Sequence, residues 1–496
     1  MSRSVLPSAK ALPAAEDCES VRDGQLDQRA PHLYPLTAHQ VEDTIRQFIE
    51  SIDKAAACDL ASRFNDGRPC KVVDQKNGSF NICFFILFDA ENVTWVLRIP
   101  IAPVVIDAWT KVVSEVTTIR YIKRKTTIPV PQIYAYGKDT TLVEGTSTPF
   151  MLLEFMHGQQ LHTRTFFDAT EHQRRNLYIG LINILAQLRK LEFPAIGSLM
   201  PNPDNPDDEL NPRTGTFLSL TINEFERQRQ QPLSMETSTV KQLIDLHCHM
   251  LSETFQMPTE ELEPRQAKSE MFALHSVTRK IQDCIDLEES NHSFVLAHPD
   301  LRCGNIIVDD NFNILGVIDW EYTSTVPQQL FVPPPWITGH DPDTLLLVTG
   351  VPRCQVLQEF GTVLQEMHET SSGWTQLWQD WGFQRENIAP SKELLLELSP
   401  IVQILRHPAS LPDVYYSSIF KQSFGSDADK DVVVNNFFQD NPTFAERIEL
   451  QLQNSERYTE YLKNHDLLIP DERLQFMKEW LEKANALLQA GRARRG

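Results

Sequence analysis

Between Phe294 and Glu321 apolar runs and polar ends follow one another in an order that leaves few folds open. Phe294-Val295-Leu296-Ala297 leads into His298-Pro299-Asp300-Leu301-Arg302-Cys303-Gly304-Asn305. Ile306-Ile307-Val308 follows, Asp309-Asp310-Asn311 turns, and Ile314-Leu315-Gly316-Val317-Ile318 returns to Asp319-Trp320-Glu321. This is the pattern of a hairpin with polar groups at its two ends. It predicts His298, Asp300 and Asn305 on one loop and Asp319 at the end of the paired strand, so that three oxygen-bearing side chains converge. Asp and Asn oxygens suit a hard cation such as Mg²⁺. A third carboxylate nearby can accept a hydroxyl proton or orient a nucleophile. An isolated H-x-D-x-x-x-x-N match fits ordinary turn residues as well; the strand context and the Ile-Asp-Trp ending favour chemistry.

Charge and composition remove other classes. Lys plus Arg is 46 and Asp plus Glu is 67, a formal net charge of −21, whereas a general nucleic-acid binder needs a basic face. No uncharged apolar run approaches the roughly 18 residues of a membrane span. Eight cysteines in 496 residues are too few for a disulfide scaffold, which points to a reducing compartment. The cytoplasm is the expected location. A mitochondrial presequence is the minor alternative, because Arg3 and Lys10 are soon followed by Glu16, Asp17 and Glu19.

Along the chain, residues 1–36 read as a disordered, polar leader. A helix is expected over Thr37–Ile52, then strands over Ile82–Phe88 and Thr94–Ile99 separated by the turn Asp89–Asn92. Trp109, Val112, Val116, Ile119 and Ile122 stand at helical spacing, and Phe150–Phe155 reads as a further strand. From Thr170 the pattern is mainly helical, with Leu177, Leu181, Ile184, Leu185 and Leu188 on one stripe. Pro201–Pro212 reads as a loop. Phe225–Lys268 reads as a polar insertion with helical fragments. A final helix is expected after Pro470, capped by Asp471, with Leu474, Met477, Leu481, Ala484 and Leu488 as its apolar stripe. Strands and helices are segregated, an α+β arrangement that argues against a doubly wound sheet.

His298-Pro299-Asp300 with Asn305, followed by Val317-Ile318-Asp319-Trp320-Glu321, resembles the aminoglycoside phosphotransferase and choline kinase superfamily, in the form found in fungal phosphotransferase-domain proteins. The resemblance covers roughly Asp74 to Gly339. It implies a protein-kinase-like bilobal fold, with a small β-rich N-lobe over 37–155, a larger helical C-lobe over 156–339 and a helical C-terminal extension over 340–496. It also implies Asp300 as catalytic base, His298 as support for the loop, Asn305 and Asp319 as Mg²⁺ ligands, and ATP as co-substrate. Gln75–Asn81 would then cover the phosphates, with Gly78, Ser79, Phe80 and Asn81 at its tip, although the full G-x-G-x-x-G pattern is absent. Arg98 falls where kinases carry a strand lysine, with Glu115 on the next helix as its partner. Glu154-Phe155-Met156 resembles the hinge that holds adenine through its backbone.

Other features read as structural. His247-Cys248-His249 lacks further ligands at zinc spacing. Cys303 reads as a passive loop residue, Trp320 as packing and Pro333-Pro334-Pro335 as a rigid loop over the cleft. Tyr322–Pro327 carries no A-P-E segment, and Trp320-Glu321 stands where protein kinases have Phe-Gly, so a small-molecule hydroxyl is the expected acceptor. No protein partner is expected. A nucleotide-binding pseudokinase or scaffold is the alternative, motivated by the reduced glycine loop and by Arg98. Amino sugar, amino alcohol, nucleoside and secondary metabolite stay open as acceptors, in a pocket expected from the helical insertion and the C-terminal helices.

Overall fold

The computed structural model describes residues 34–229, 233, 237–285, 287, 293–341, 353–381 and 394–468. The expected leader, up to residue 33, and the expected helix after Pro470 lie outside the described residues. Helices α1 (Ala38–Glu50) and α2 (Lys54–Arg63) open the described chain, α1 capped by Thr37 in a capping box with Gln40. Strands β1 (Lys71–Asn77), β2 (Asn81–Phe88) and β3 (Val93–Pro100) follow. Then come α3 (Ala108–Lys125), β4 (Ile133–Val143) and β5 (Thr146–Glu154). The five strands form one antiparallel sheet in the order β1-β2-β3-β5-β4.

Period-two alternation gives this sheet two unlike faces. Ile82, Phe84, Ile86, Leu97 and Ile99 are fully buried in a core completed by Ala57, Leu60 and Ala61 of α2. Cys83, Phe85 and Val96 lie half-buried on the opposite face, which also carries Arg98. Sequence reading missed α2 and β4. Both are short on apolar periodicity and are held by their packing against the sheet.

Beyond the sheet come β6 (Gln159–Gln160), α4 (Thr163–Phe167), α5 (Glu171–Arg189), β7 (Glu192–Phe193), β8 (Gly197–Met200) and β9 (Arg213–Thr214). Helices α6 (Leu220–Arg229), α7 (Val240–Gln256) and α8 (Pro264–Cys284) follow. Next are β10 (Phe294–Ala297), β11 (Ile306–Val308), β12 (Ile314–Val317), β13 (Ser324–Pro327) and α9 (Pro335–Thr338). The described remainder is mostly helical: α10 (Arg353–Thr370), α11 (Thr375–Asp380), α12 (Leu394–Arg406), α13 (Lys430–Asp440) and α14 (Pro442–Asn464), with short helical segments over residues 411–424.

The expected α+β segregation is present: the five-stranded sheet comes first, then a mostly helical remainder that holds the smaller strands β6 to β13. The helical fragments expected over residues 225–268 are present as α7 and the start of α8, and α7 buries Leu243, Ile244, Leu246, Met250 and Leu251 in the main core, continued by Phe272, Val277 and Ile281 of α8. Their polar residues line the outer faces and mask an ordinary amphipathic stripe. After Tyr322, β13 pairs with β10 and β8. No described helix is long and apolar enough to cross a membrane.

Candidate active site

The hairpin predicted from the sequence is β11–β12, paired antiparallel with Ile306 opposite Val317. The loop from β10 to β11 carries His298, Asp300 and Asn305, and Asp319 lies two residues past β12. His298 joins the two ends. Its Nε2 lies 3.2 Å from the Ile318 carbonyl, and its Nδ1 lies 3.2 Å from the Asp300 amide. These partners assign the neutral tautomer with the proton on Nε2, and burial holds the ring down to a pKa of about 4. Trp320 packs against the ring at 4.7 Å and donates its indole N–H to the Val317 carbonyl at 2.9 Å.

Asn305 donates from Nδ2 to the Asp300 carbonyl at 2.8 Å and to Asp300 Oδ2 at 3.1 Å. Arg302 Nε also lies 3.1 Å from Oδ2. Asp300 Oδ1 has no donor among the described residues. Burial raises the Asp300 carboxyl to about 6; Arg302 pulls it down and Asp319 pushes it up. Asp319 adopts φ 66°, a left-handed conformation uncommon outside glycine. Such strain persists where the surroundings over-determine it, often at functional sites.

A buried charge network faces this loop from the sheet. Arg98 Nη1 pairs with Glu115 Oε1, and Arg98 Nη2 pairs with Asp319 Oδ1 and, at 3.1 Å, with Glu321 Oε2. Lys111 pairs with the same Glu321 oxygen and donates to Asn81 Oδ1 at 2.9 Å, while Asn81 Nδ2 donates to Glu321 at 2.7 Å. Burial pushes the Glu115 carboxyl up, opposed by Arg98 and Lys111. Asp319 is held below the usual carboxylate range by Arg98, against its own burial. Three carboxyl groups, Glu115, Asp319 and Glu321, thus meet two cations, Arg98 and Lys111, in this network.

Residues that could hold a divalent cation stand at the edge of this network. Asn305 spends its amide nitrogen on Asp300, which leaves its side-chain oxygen; Asp319 Oδ2 has no donor among the described residues. The Ile318 amide donates to the Asn305 carbonyl at 3.0 Å, so these two oxygens sit on adjacent strand ends. Among the described residues no set of three or more His, Cys, Asp or Glu could hold a metal by itself. That donor set fits Mg²⁺, which takes one or two protein oxygens plus phosphate and water.

The remaining expected residues divide. Gly78 donates to the Asn81 carbonyl at 2.9 Å and has open space where a side chain would begin; Ser79 is exposed. Phe80 and Asn81 turn their side chains inward. Phe80 packs edge-on to Tyr322 at 5.8 Å, and Asn81 belongs to the Lys111–Glu321 network. Phe155 packs edge-on to Phe85 at 5.8 Å, and Met156 lies over Gly316 of β12. Glu154 pairs with Gln132 through backbone and side chain. Phe85, Val96, Phe155 and Met156 thus border a slot between the sheet and β12. His247 is buried on α7, and burial holds the Cys303 thiol up to about 12. Pro335 begins α9 instead of an extended loop.

Sequence reading missed Lys111, which stands one helical turn before Glu115 on the same face of α3. It also missed the cleft beside Asp300, whose wall is built by Leu243 and His247 of α7 and by Val402, Leu405 and Arg406 of α12. That wall comes from the two regions expected to supply an acceptor pocket.

Comparison with known proteins follows the same outline. Residues 84–327 match the model of the phosphotransferase enzyme family. Clavilactone A biosynthesis cluster protein Y of Ampulloclitocybe clavipes is 24% identical over 241 residues, covering 46% of this chain and 54% of that protein. A subtelomeric hrmA-associated cluster protein of Aspergillus fumigatus is 24% identical over 313 residues, covering 53% of this chain and 60% of that protein. The chain therefore spans little more than half the length of the curated relatives it matches. The solved GDP complex of aminoglycoside 2′-phosphotransferase-IIIa is 11% identical and superposes with a TM-score of 0.41, covering 82% of this chain and 99% of that one. The stretch that matches the phosphotransferase enzyme family runs from within β2 to the end of β13 and includes the whole loop and hairpin that carry His298, Asp300, Asn305 and Asp319.

Proposed function

We propose that the chain transfers the γ-phosphoryl group of ATP to a hydroxyl of a small molecule, with Mg²⁺ as cofactor. The observation that carries this reading is Asp300: a half-buried carboxylate with one oxygen bound to Asn305 and Arg302 and the other without a donor among the described residues, beside the acceptor cleft. Oδ1 accepts the proton of the acceptor hydroxyl as the oxygen–phosphorus bond forms and the bond to ADP breaks. His298 fixes the distance between this base and Asp319 by spanning Ile318 and the Asp300 amide. Asn305 and Asp319 would hold Mg²⁺, which when bound neutralises charge on the phosphate oxygens. Arg98, positioned by Glu115, faces the phosphates across the slot, the hinge residues Glu154, Phe155 and Met156 border the base, and the Gly78–Ser79 turn covers the phosphates by its backbone.

The test is ADP release with ATP, with and without Mg²⁺, over a panel of hydroxyl compounds. Asp300→Asn should keep its fold and ATP affinity and lose roughly 10²–10⁴-fold in turnover, the usual contribution of a positioned base. Asp319→Ala should weaken Mg²⁺-ATP binding far more than binding of metal-free ATP. Undiminished turnover in Asp300→Asn would falsify the assignment. ATP binding without any ADP release favours the scaffold alternative.

A further inference from the structure

The acceptor cleft has two chemically unlike sides. Asp300, Asp319 and Glu321 stand on the phosphoryl side; the rest of the lining is apolar side chains such as Leu243, Val402 and Leu405, with hydroxyl residues including Tyr322 and the basic groups His247, Arg406 and His407, and no further acid. Arg406 ends α12. Among the described residues it makes one side-chain hydrogen bond, from Nη2 to the Leu330 carbonyl at 3.1 Å, and no carboxylate lies within ion-pair reach. A guanidinium carries five N–H donors. A half-buried cation without an acid partner is costly, and burial alone lowers Arg406 to about 10. Its position at the C-terminus of α12 gives it some favourable interaction with the helix dipole, but that uses none of its N–H groups. The side chain remains partly accessible, and it lines the cleft.

A second observation points to a ligand on the same wall. His247 is 7% exposed, and among the described residues its Nδ1 is buried without a partner. Its ring lies against the Leu405 carbonyl, one residue before Arg406. The hydroxyl of Tyr322, which also lines the cleft, is likewise buried without a partner. Buried polar atoms are normally hydrogen-bonded, so unpaired ones in a shared cavity mark where a bound molecule completes the set.

Resting on the phosphotransfer reading above, we propose that the acceptor carries an oxyanion, a carboxylate or a phosphate, on an apolar body. Arg406 binds the oxyanion by paired N–H donors, while the acceptor hydroxyl reaches Asp300. The guanidinium fork matches both oxyanions bidentately. A cationic amino sugar or amino alcohol whose amine reached this wall would instead bring a second positive charge to Arg406, since the acids of the cleft stand on the phosphoryl side, and the wall selects against that placement.

The test separates binding from turnover. Isothermal titration with 6-hydroxyhexanoate, 6-hydroxyhexyl phosphate, 6-hydroxyhexanamide and 6-aminohexan-1-ol measures charge preference at constant chain length. ADP release with Mg²⁺-ATP is read on the same four compounds. An anionic probe should bind at least tenfold more tightly than the amide and the amine; which of the two anions binds better identifies the oxyanion. Arg406→Leu should remove that preference, and Arg406→Lys should keep part of it, each with its melting temperature and ATP affinity measured alongside. Equal binding of all four, preference for the amine, no binding of either anion, or an anion preference that survives in a folded Arg406→Leu protein overturns the proposal. If Arg406→Leu does not fold, loss of bidentate preference in Arg406→Lys decides. Anion binding lost on Arg406 substitution, without ADP release from any probe, sustains the oxyanion site and counts against phosphotransfer.

Discussion

At the scale of single residues, Arg98 carries the most testable consequence. Leu97 and Ile99 are fully buried on the opposite sheet face, and Arg98 instead meets Glu115, Asp319 and Glu321. Removing one partner of a buried ion pair typically costs about 3–5 kcal/mol, because the other charge is left uncompensated. Arg98→Ala should therefore lower stability as well as ATP affinity, and Arg98→Lys is the cleaner probe of phosphate contact. Equilibrium denaturation and ATP titration of both variants should show Lys intermediate in each. Glu115→Ala should do less, since Asp319 and Glu321 still hold the guanidinium. ATP affinity of wild-type strength in a folded Arg98→Lys or Arg98→Ala protein removes Arg98 from the site. The loop residues His298, Asp300, Asn305 and Asp319 were legible in the sequence because they sit on one hairpin, where spacing alone brings them together. Arg98 and Glu115 were legible as a strand residue and the helix residue that follows it. Lys111 and Arg406 were not, nor was the buried network that joins Asn81 and Glu321. Their partners lie far along the chain, and burial that turns a polar side chain inward leaves no periodic mark.

At the scale of elements, the join between the sheet and the β11–β12 hairpin sets the slot. Gly158 follows the hinge at φ 135°, and a Cβ there would lie 2.7 Å from Ile307 Cγ2 and 2.9 Å from the Val308 carbonyl oxygen. Both neighbours belong to β11, which pairs with β6 immediately after the glycine. No side chain fits without moving β11, and β11 begins at the residue after Asn305. Gly158→Ala should cost on the order of 1–3 kcal/mol, combining backbone strain with overpacking. Gly78, at the hairpin tip, has open space and an ordinary φ, so Gly78→Ala should change stability by no more than about 0.5 kcal/mol. Urea denaturation of the two variants side by side checks the contrast; equal stability losses would remove the steric argument. The β2–β3 hairpin was legible from apolar runs flanking Asp89–Asn92. The packing role of α7 and α8 was not, because in a single sequence a polar outer face looks the same whether the inner face is buried in this domain or projects as an insertion.

At the scale of the whole molecule, the core around α7 and α12 holds charge in an unusual state. His247 is buried on α7, and burial, reinforced by Arg406, lowers it from an ordinary 6.5 to about 4. The groups facing it are Arg406 and the Leu405 carbonyl of α12, with Phe217 edge-on to its ring at 6.1 Å. In the unfolded chain the imidazole takes up a proton as pH falls through about 6.5, whereas in the folded protein it stays neutral until about 4. Between these values the unfolded state binds more protons, so stability falls as pH falls, by about 1.4 kcal/mol per pH unit for this one group. Over the full interval the loss is on the order of 3 kcal/mol. Asp300 and Glu115, whose carboxyls are raised by burial, contribute with the opposite sign. The shape of the wild-type curve therefore does not isolate the histidine, but a difference between variants does. His247→Gln keeps a polar side chain of similar reach and removes the titration. At pH 8 the variant should be less stable than wild type by its packing loss. From pH 6.5 down to pH 4 the wild type should lose on the order of 3 kcal/mol that the variant does not lose, so the two stability curves converge and can cross. Urea denaturation of both proteins at half-unit pH steps measures the gap. A gap that stays constant from pH 8 to pH 4 would show that His247 titrates alike in the folded and unfolded chain, and so does not sit unprotonated in the core beside Arg406.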